Sequence, residues 1–387
     1  MVRPPTFRRR WIPLALLDAM LLLCVASTGA AQNSVPASCD IETSERIVVV
    51  ADVHGAHDRF VAILRAAGLI DARERWSGGR ATLVQTGDVL DRGADSRRTL
   101  DLLRRLEGEA SQAGGRVHAL LGNHETMRML GDLRYVSAGE YAAFRTDESE
   151  ELRERYYRIA VDRAASQAKT AAEPLSEETF RAGFLKETPV GFVELVLAFG
   201  PDGEYGRWLR EHDTMVKING IVFVHGGISP AVALSELSEC AALNAAVRSE
   251  LKAAPTPTDA KEPATRLTSR EDGPLWYRGL AHESEAAFAS QVDAILQKLN
   301  AGMIVVGHTV APENRVRTRF GGRVVQLDTG MLDGSFFPGG RPSALEIRDG
   351  KLTAIYEDRR EELGPLTKPA TASQPLPVAP GSPAAGR

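Results

Sequence analysis

Five short segments of the 387-residue chain collect nearly every side chain suited to binding cations and acting on an oxyanion: ADVHG at 51–55, GDVLDRG at 87–93, GNHE at 122–125, HGG at 225–227 and GH at 307–308. Carboxylates, imidazoles and an amide oxygen make a ligand set suited to Mn, Fe or Zn. Cys39 and Cys240 fall outside all five segments, which argues against a thiolate or redox site.

Asp52 and His54 stand one residue apart, so at the end of an extended strand both side chains face the same way and can hold one cation. Asp88 has two oxygens and is assigned the bridge to a second ion, which Asn123, His225 and His308 complete. The expected cofactor is therefore a pair of divalent or trivalent ions. Two ions about 3.5–4 Å apart lower the pKa of a shared water and yield a hydroxide near neutral pH, the expected nucleophile at phosphorus. Arg92 can grip the equatorial oxygens with two hydrogen bonds, and Arg278, in GPLWYRG, is a candidate second clamp. Asn123 can contact phosphate as well as metal. On an extended segment His124 faces away from Asn123, so it is read as the general acid, oriented by Asp91 three residues beyond Asp88.

Each piece also has a plainer reading. An Asp or His after a strand often caps a turn, and glycine after a strand is ordinary turn chemistry. Arg278 can equally serve a surface ion pair, Trp276 and Tyr277 can be packing residues, and Asp328 and Asp333 can cap a glycine-rich turn. His57, His118, His212 and His282 lie outside the metal pattern and read as structural or exposed. The order of the segments and their shared context raise them together.

That context is a set of apolar runs: IVVV at 47–50, TLVQ at 82–85, HALL at 118–121, IVFV at 221–224 and MIVV at 303–306. They read as buried strands, with ligands emerging at the carboxyl edge of an α/β sheet. Because the ligands run from Asp52 to His308, both halves of the chain must complete one core, placed at 46–360. Residues 134–213 turn helical and read as an insertion, either a solvated appendage or a cap walled by Phe144, Tyr156, Tyr157 and Phe184. A Pro/Thr/Ala-rich stretch at 253–268 reads as a surface loop, and 361–387 as a disordered Pro/Ala-rich tail.

Residues 1–31 carry three arginines, an apolar stretch and small residues, the pattern of a cleaved signal peptide; a retained membrane anchor is the alternative. Residues 32–45 are a polar lead-in. An exported, periplasmic protein with no stable membrane span after cleavage is expected. In that compartment Cys39 and Cys240 can pair or remain separate thiols. A net charge of -4 and a pI near 6.1 provide no general attraction for nucleic acid.

Through DVHG, GDVLDRG, GNHE, HGGISP and VVGHT the chain resembles the calcineurin-like metallophosphoesterases, and within them the PPP-type phosphatases. The helical insertion, WLREHDTMVKINGIVFVHGG and GPLWYRG are similar to the Shewanella-like protein phosphatases. The resemblance covers roughly Arg46 to Asp358. It implies an α/β/β/α sandwich and hydrolysis of phosphomonoesters, in phosphorylated proteins or small molecules. Ala51 stands where a glycine is usual, Thr309 follows GH, and no SAPNY-like loop is visible near the C terminus. Serine/threonine preference is therefore not carried over, and phosphotyrosine stays open. Alternatives are a dinucleoside polyphosphate hydrolase and a metal-binding protein without turnover.

Overall fold

Four of the five apolar runs form strands with the expected bounds. In the computed structural model, which describes residues 39–168, 176–253 and 265–366, the strands are β1 (Asp40–Ile41), β2 (Ile47–Val50), β3 (Thr82–Gln85), β4 (Arg116–Ala119), β5 (Met215–Ile218) and β6 (Ile221–Val224). They continue as β7 (Met303–Val306), β8 (Arg317–Arg319), β9 (Val324–Gln326), β10 (Ala344–Arg348), β11 (Lys351–Ile355) and β12 (Arg360–Pro365). The strand expected at 118–121 lies two residues earlier; Leu120 still donates to Gln85 of β3, but the Leu121 amide leaves that strand for the Asp213 carbonyl.

Two six-stranded sheets result, ordered β1-β5-β6-β7-β9-β8 and β12-β11-β10-β2-β3-β4. Side chains alternate across a strand, so each apolar run must satisfy two layers at once. Ile47 and Val49 of β2 pack with Ile221, Phe223, Met303 and Val305 in a core between the sheets. Val48 and Val50 face the other way, into a cluster with Phe60, Leu64 and Leu100 from the helices His57–Ala66 and Ser96–Gln112. Val222, Val224, Ile304 and Val306 do the same on the second sheet, against Leu243 and Val292 of the helices Cys240–Lys252 and Glu285–Leu299. Helices thus cover both outer faces, giving the expected α/β/β/α layering.

β2, β3 and β4 are parallel neighbours, and so are β6 and β7. Parallel neighbours end on the same edge, so the loops after them converge. This is what brings the five segments together.

Among the described residues, 134–213 hold five helices, from Ala138–Ala143 to Glu204–Glu211. The four aromatics read as cap walls are packing residues, three within the insertion and Phe144 in the main core. Tyr156, Tyr157 and Phe184 form a separate cluster with Phe192, while Phe144 stacks among Phe199, Tyr205 and the guanidinium of Arg97. All four are buried, 5–8% exposed, which leaves them no free face for a ligand.

Both ends of the core reach further than expected. Residues 360–365 form β12, paired antiparallel with β11, so the sheet claims the first residues assigned to the tail. At the other end β1 pairs with β5 and Cys39 is disulfide-bonded to Cys240, which makes residues 39–41 part of the fold rather than lead-in. In the 253–268 stretch, Leu267 and Thr268 are buried and their amides donate to the Glu250 carboxylate. The leader, residues 32–38, 254–264 and the tail from 367 lie outside the described residues. Among the described residues, no helix is long and apolar enough to cross a membrane.

Candidate metal centre

The loops at the strand ends are stitched together by their own ligating residues. The Asp88 carbonyl accepts from the amides of Val53 and His54, and the His54 carbonyl accepts from Gly93. One oxygen of Asp52 accepts from the His308 amide at 2.9 Å, and Asp88 Oδ1 accepts from the His124 amide at 3.0 Å. Each carboxylate therefore spends one oxygen on a distant loop and leaves the other, Oδ2, for the cavity. Approach is close enough that a Cβ on Gly307 would stand 2.4 Å from Asp52 Oδ1, and one on Gly122 2.3 Å from Asp88 Oδ1. Side chains at either position would push the carboxylates out of place.

Backbone strain collects here. His54, Asp88, Asp91, Arg92 and His308 all have positive φ, between 49° and 71°, a region costly for residues other than glycine. Ala51 is not among the positive-φ residues, so its replacement of the usual glycine carries no strain of that kind.

The imidazoles are oriented by backbone carbonyls. His54 Nδ1 donates to Leu90 O at 2.9 Å and His225 Nδ1 to Thr86 O at 3.0 Å, which turns both Nε2 lone pairs inward. His54 Nε2 lies 3.8 Å from Asp52 Oδ2 and 3.7 Å from Asp88 Oδ2. His225 Nε2 lies 2.9 Å from Asn123 Oδ1, 3.1 Å from His308 Nδ1 and 3.3 Å from Asp88 Oδ2. Acceptor atoms face acceptor atoms, an arrangement that requires a cation or a shared proton at its centre. Two groups, His54 with Asp88 and His124, and Asp88 with His225 and His308, each bring three ligand atoms within 4.8 Å of one another. Asp88 belongs to both. His308 Nε2 is buried without a hydrogen-bond partner.

Electrostatics agree with the geometry. Burial and the neighbouring Asp328 charge raise the Asp52 carboxyl well above its ordinary range. Burial alone would do the same to Asp88, but the His225 and His124 rings hold it well below. Burial, helped by His124, takes His54 down to about 3 and leaves it a neutral donor of its lone pair, which here meets the Arg92 guanidinium. His225 is pushed up to about 9 as Asp88 and Asp52 overcome the effect of burial. Like charges crowded into a dry cavity favour bound cations.

His124 and Asn123 do not lie on an extended segment. They open the helix Asn123–Met129, where successive side chains diverge by about 100° rather than alternating. His124 therefore also turns inward, with Nε2 3.8 Å from Asp88 Oδ2, while Nδ1 meets Asp91 Oδ2 at 2.6 Å. The Asp91–His124 pair expected from the spacing is formed. Arg278 lies beside the cluster, with Nη1 donating to His308 O and Thr309 Oγ1, each at 3.0 Å. Trp276 packs edge-on to His308 and donates its indole N–H to Thr268 O.

Two buried residues escaped the sequence reading, and a third, Asp328, does more than the turn capping read for it. Glu125 accepts from the amides of Asp88, Val89 and Gly122, each at 2.8 Å, and so joins the second and third loops. Its place in GNHE, as the third residue of a helix, is the signature of a cap and was the available signal. Arg128 pairs with Asp91 and, at 3.0 Å, with Glu140, tying the insertion to the back of His124. Asp328 accepts from the Gly330 amide, as a turn cap does, yet burial and the nearby Asp88 charge push it up to about 6. It belongs to the charged wall of the cavity as well.

Residues 45–312 match the calcineurin-like phosphoesterase family. An uncharacterized protein of Schizosaccharomyces pombe is 30% identical, with 80% of each chain covered. Shewanella-like protein phosphatase 1 of Plasmodium berghei is 27% identical over 82% of this chain and 75% of its own. The solved cold-active protein-tyrosine phosphatase of a psychrophilic Shewanella species is 29% identical, covers 84% of this chain and 82% of its own, and superposes with a TM-score of 0.62. With that match spanning the ligand-bearing loops from Asp52 to His308, the chain belongs to the calcineurin-like phosphoesterases and is a metallophosphoesterase.

Proposed function

We propose that the protein is a phosphomonoesterase with two metal ions, acting on phosphorylated proteins at phosphotyrosine or phosphoserine/threonine. The observation that carries this reading is the convergence of Asp52, His54, Asp88, Asn123, His225 and His308, whose acceptor atoms face one another around a shared Asp88. These six residues are the proposed ligands. Nitrogen and oxygen donors without sulfur suit Mn, Fe or Zn. Bound ions supply Lewis-acid charge, making water acidic and neutralising phosphoryl oxygens.

The chain's own residues do the rest. Arg92 presents a planar pair of N–H donors to the equatorial oxygens, Arg278 flanks them, and the Asn123 amide can donate to one more. His124, with Nδ1 hydrogen-bonded to Asp91, carries its other ring proton on Nε2, facing the cavity, and donates it to the leaving oxygen. The buried Arg128 keeps Asp91 ionised for that task.

The test is a panel of phosphotyrosine and phosphoserine/threonine peptides, an aryl phosphate and a dinucleoside polyphosphate, run with added Mn and after chelation, alongside elemental analysis. Monoester turnover that chelation abolishes and Mn restores is expected; turnover of the dinucleotide alone would overturn the reading. Metal-free protein hydrolysing the esters equally well would overturn the metal assignment. We further propose export to the periplasm with loss of the leader, a compartment that suits the Cys39–Cys240 disulfide. Cell fractionation with N-terminal sequencing checks it.

A further inference from the structure

Two aromatic rings at the rim of the ligand cluster are used by none of the chemistry above. Phe337 stacks on His54 with ring centroids 5.7 Å apart and planes at 22°, and its ring lies 5.2 Å from the Arg92 guanidinium carbon. Tyr135, on the loop opening the insertion, lies 5.5 Å from the same guanidinium carbon and 5.1 Å from the His124 ring. Arg92, the proposed phosphate clamp, is thus shared by two rings. Tyr135 is 41% exposed and Phe336, beside Phe337, 52% exposed, so this apolar surface borders solvent as well as the ligand cluster.

Phe337 is held in place by a built loop. Arg59, on the helix that follows the Asp52–His54 segment, donates Nη1 to the carbonyls of Met331 and Gly340 at 3.2 and 3.0 Å, and Nη2 to the Asp333 carboxylate at 3.0 Å. One guanidinium therefore pins both ends of the segment. Inside it, the Gly340 amide donates to Phe337 O at 2.8 Å and the Gly339 amide to Asp333 Oδ1 at 3.1 Å. A Cβ on Gly340 would stand 1.9 Å from the Gly330 carbonyl, so the two ends are pressed together. A short loop closed in this way presents a fixed wall.

Resting on the phosphatase reading above, we propose that Phe337 and Tyr135 form a wall selecting phosphomonoesters of aromatic over aliphatic alcohols, and that Arg59 is the positioning residue holding Phe337 there. With phosphate on Arg92, the first atoms of the leaving group pass the two rings. A planar ring there gains offset or edge-to-face contact, which an alkyl chain cannot make. Such contacts correspond to about a three- to tenfold preference.

The test measures binding of phenylphosphonate, methylphosphonate and inorganic phosphate to the full-length, Mn-loaded protein by calorimetry, with kcat and KM on phenyl phosphate and glycerol 2-phosphate. The wild type should favour phenylphosphonate by about three- to tenfold. Phe337→Ala and Phe337→Leu should each bring the ratio of phenylphosphonate to methylphosphonate affinity to about one, whatever their affinity for inorganic phosphate; the leucine variant keeps apolar bulk without a ring. Arg59→Gln should raise KM for phenyl phosphate by the same factor with kcat on glycerol 2-phosphate unchanged, and Arg59→Lys should recover part of the loss. Equal binding of both phosphonates by the wild type, or a preference surviving in both Phe337 variants, overturns the wall. A wild type that turns over no phosphomonoester overturns the phosphatase reading instead, and the phosphonate affinities still decide the wall.

Discussion

Removing the charge of Glu125 should loosen the whole centre, although this residue touches neither a metal position nor a substrate position in the proposed scheme. Its carboxylate is buried and its two oxygens accept from the amides of Asp88, Val89 and Gly122 at 2.8 Å, with a fourth, longer bond from Leu90 at 3.3 Å. In Glu125→Ala these donors are left without an acceptor, at about 1–3 kcal/mol each. They share one partner and are not independent, so the expected loss of stability is about 3–5 kcal/mol. Glu125→Gln keeps the volume, but whichever oxygen becomes an amide turns its hydrogens against two N–H donors, and about 2–4 kcal/mol should be lost.

Guanidinium unfolding followed by tryptophan fluorescence gives the stability, and elemental analysis of the same samples gives metal content. Both should fall, because the Asp88–Leu90 backbone that Glu125 holds also presents Asp88 and the carbonyl that orients His54. A Glu125→Gln protein within about 0.5 kcal/mol of wild type, with undiminished metal, would refute the idea that this carboxylate organises the two loops.

Three further outcomes are expected. Asp91→Asn should lower kcat by about 10²- to 10³-fold with metal content retained, as read by steady-state kinetics and elemental analysis; equal losses in both would make Asp91 structural. Burial, reinforced by Arg116, takes His118 from its ordinary 6.5 down to about 4, so between those values the unfolded chain binds the proton first and stability falls as pH drops. His118→Gln should therefore flatten the decline between pH 7 and 4.5 by on the order of 1–2 kcal/mol, allowing for the ring's partial exposure, as read from unfolding midpoints. The Cys39–Cys240 bridge closes a loop across a separation of 201 residues. Cys39→Ser should cost about 2–5 kcal/mol under non-reducing conditions, and unfolding midpoints unaffected by the substitution would show that the bridge constrains nothing.

How much of this could be read in advance varied from residue to residue. Asp52 and His54 were legible because strand alternation is local, and one intervening residue is enough to place both side chains on one face. His124 was legible in partner but not in direction: its hydrogen bond to Asp91 formed, while the helix beginning at Asn123 turns it inward beside Asn123 rather than to the opposite face. Phe144, Tyr156, Tyr157 and Phe184 had the composition of a ligand wall and became packing, since nothing in a helical pattern distinguishes a core aromatic from one lining a cleft. Arg278 was placed beside the cluster, bound to the His308 carbonyl rather than to a surface acid.

The chain alone determined the donor types and the buried runs that carry them, because residue chemistry and two-residue periodicity are properties of short windows. Tertiary structure alone decided that Asp52 meets the amide of His308, 256 residues away, and that Glu125, Arg128 and Asp328 are sealed in with them. It also decided that Phe337 and Tyr135 reach the same arginine. Those outcomes depend on which strands become neighbours and on the distances between buried charges. Neither quantity is written in any local pattern, since both arise only when the two sheets close on one another.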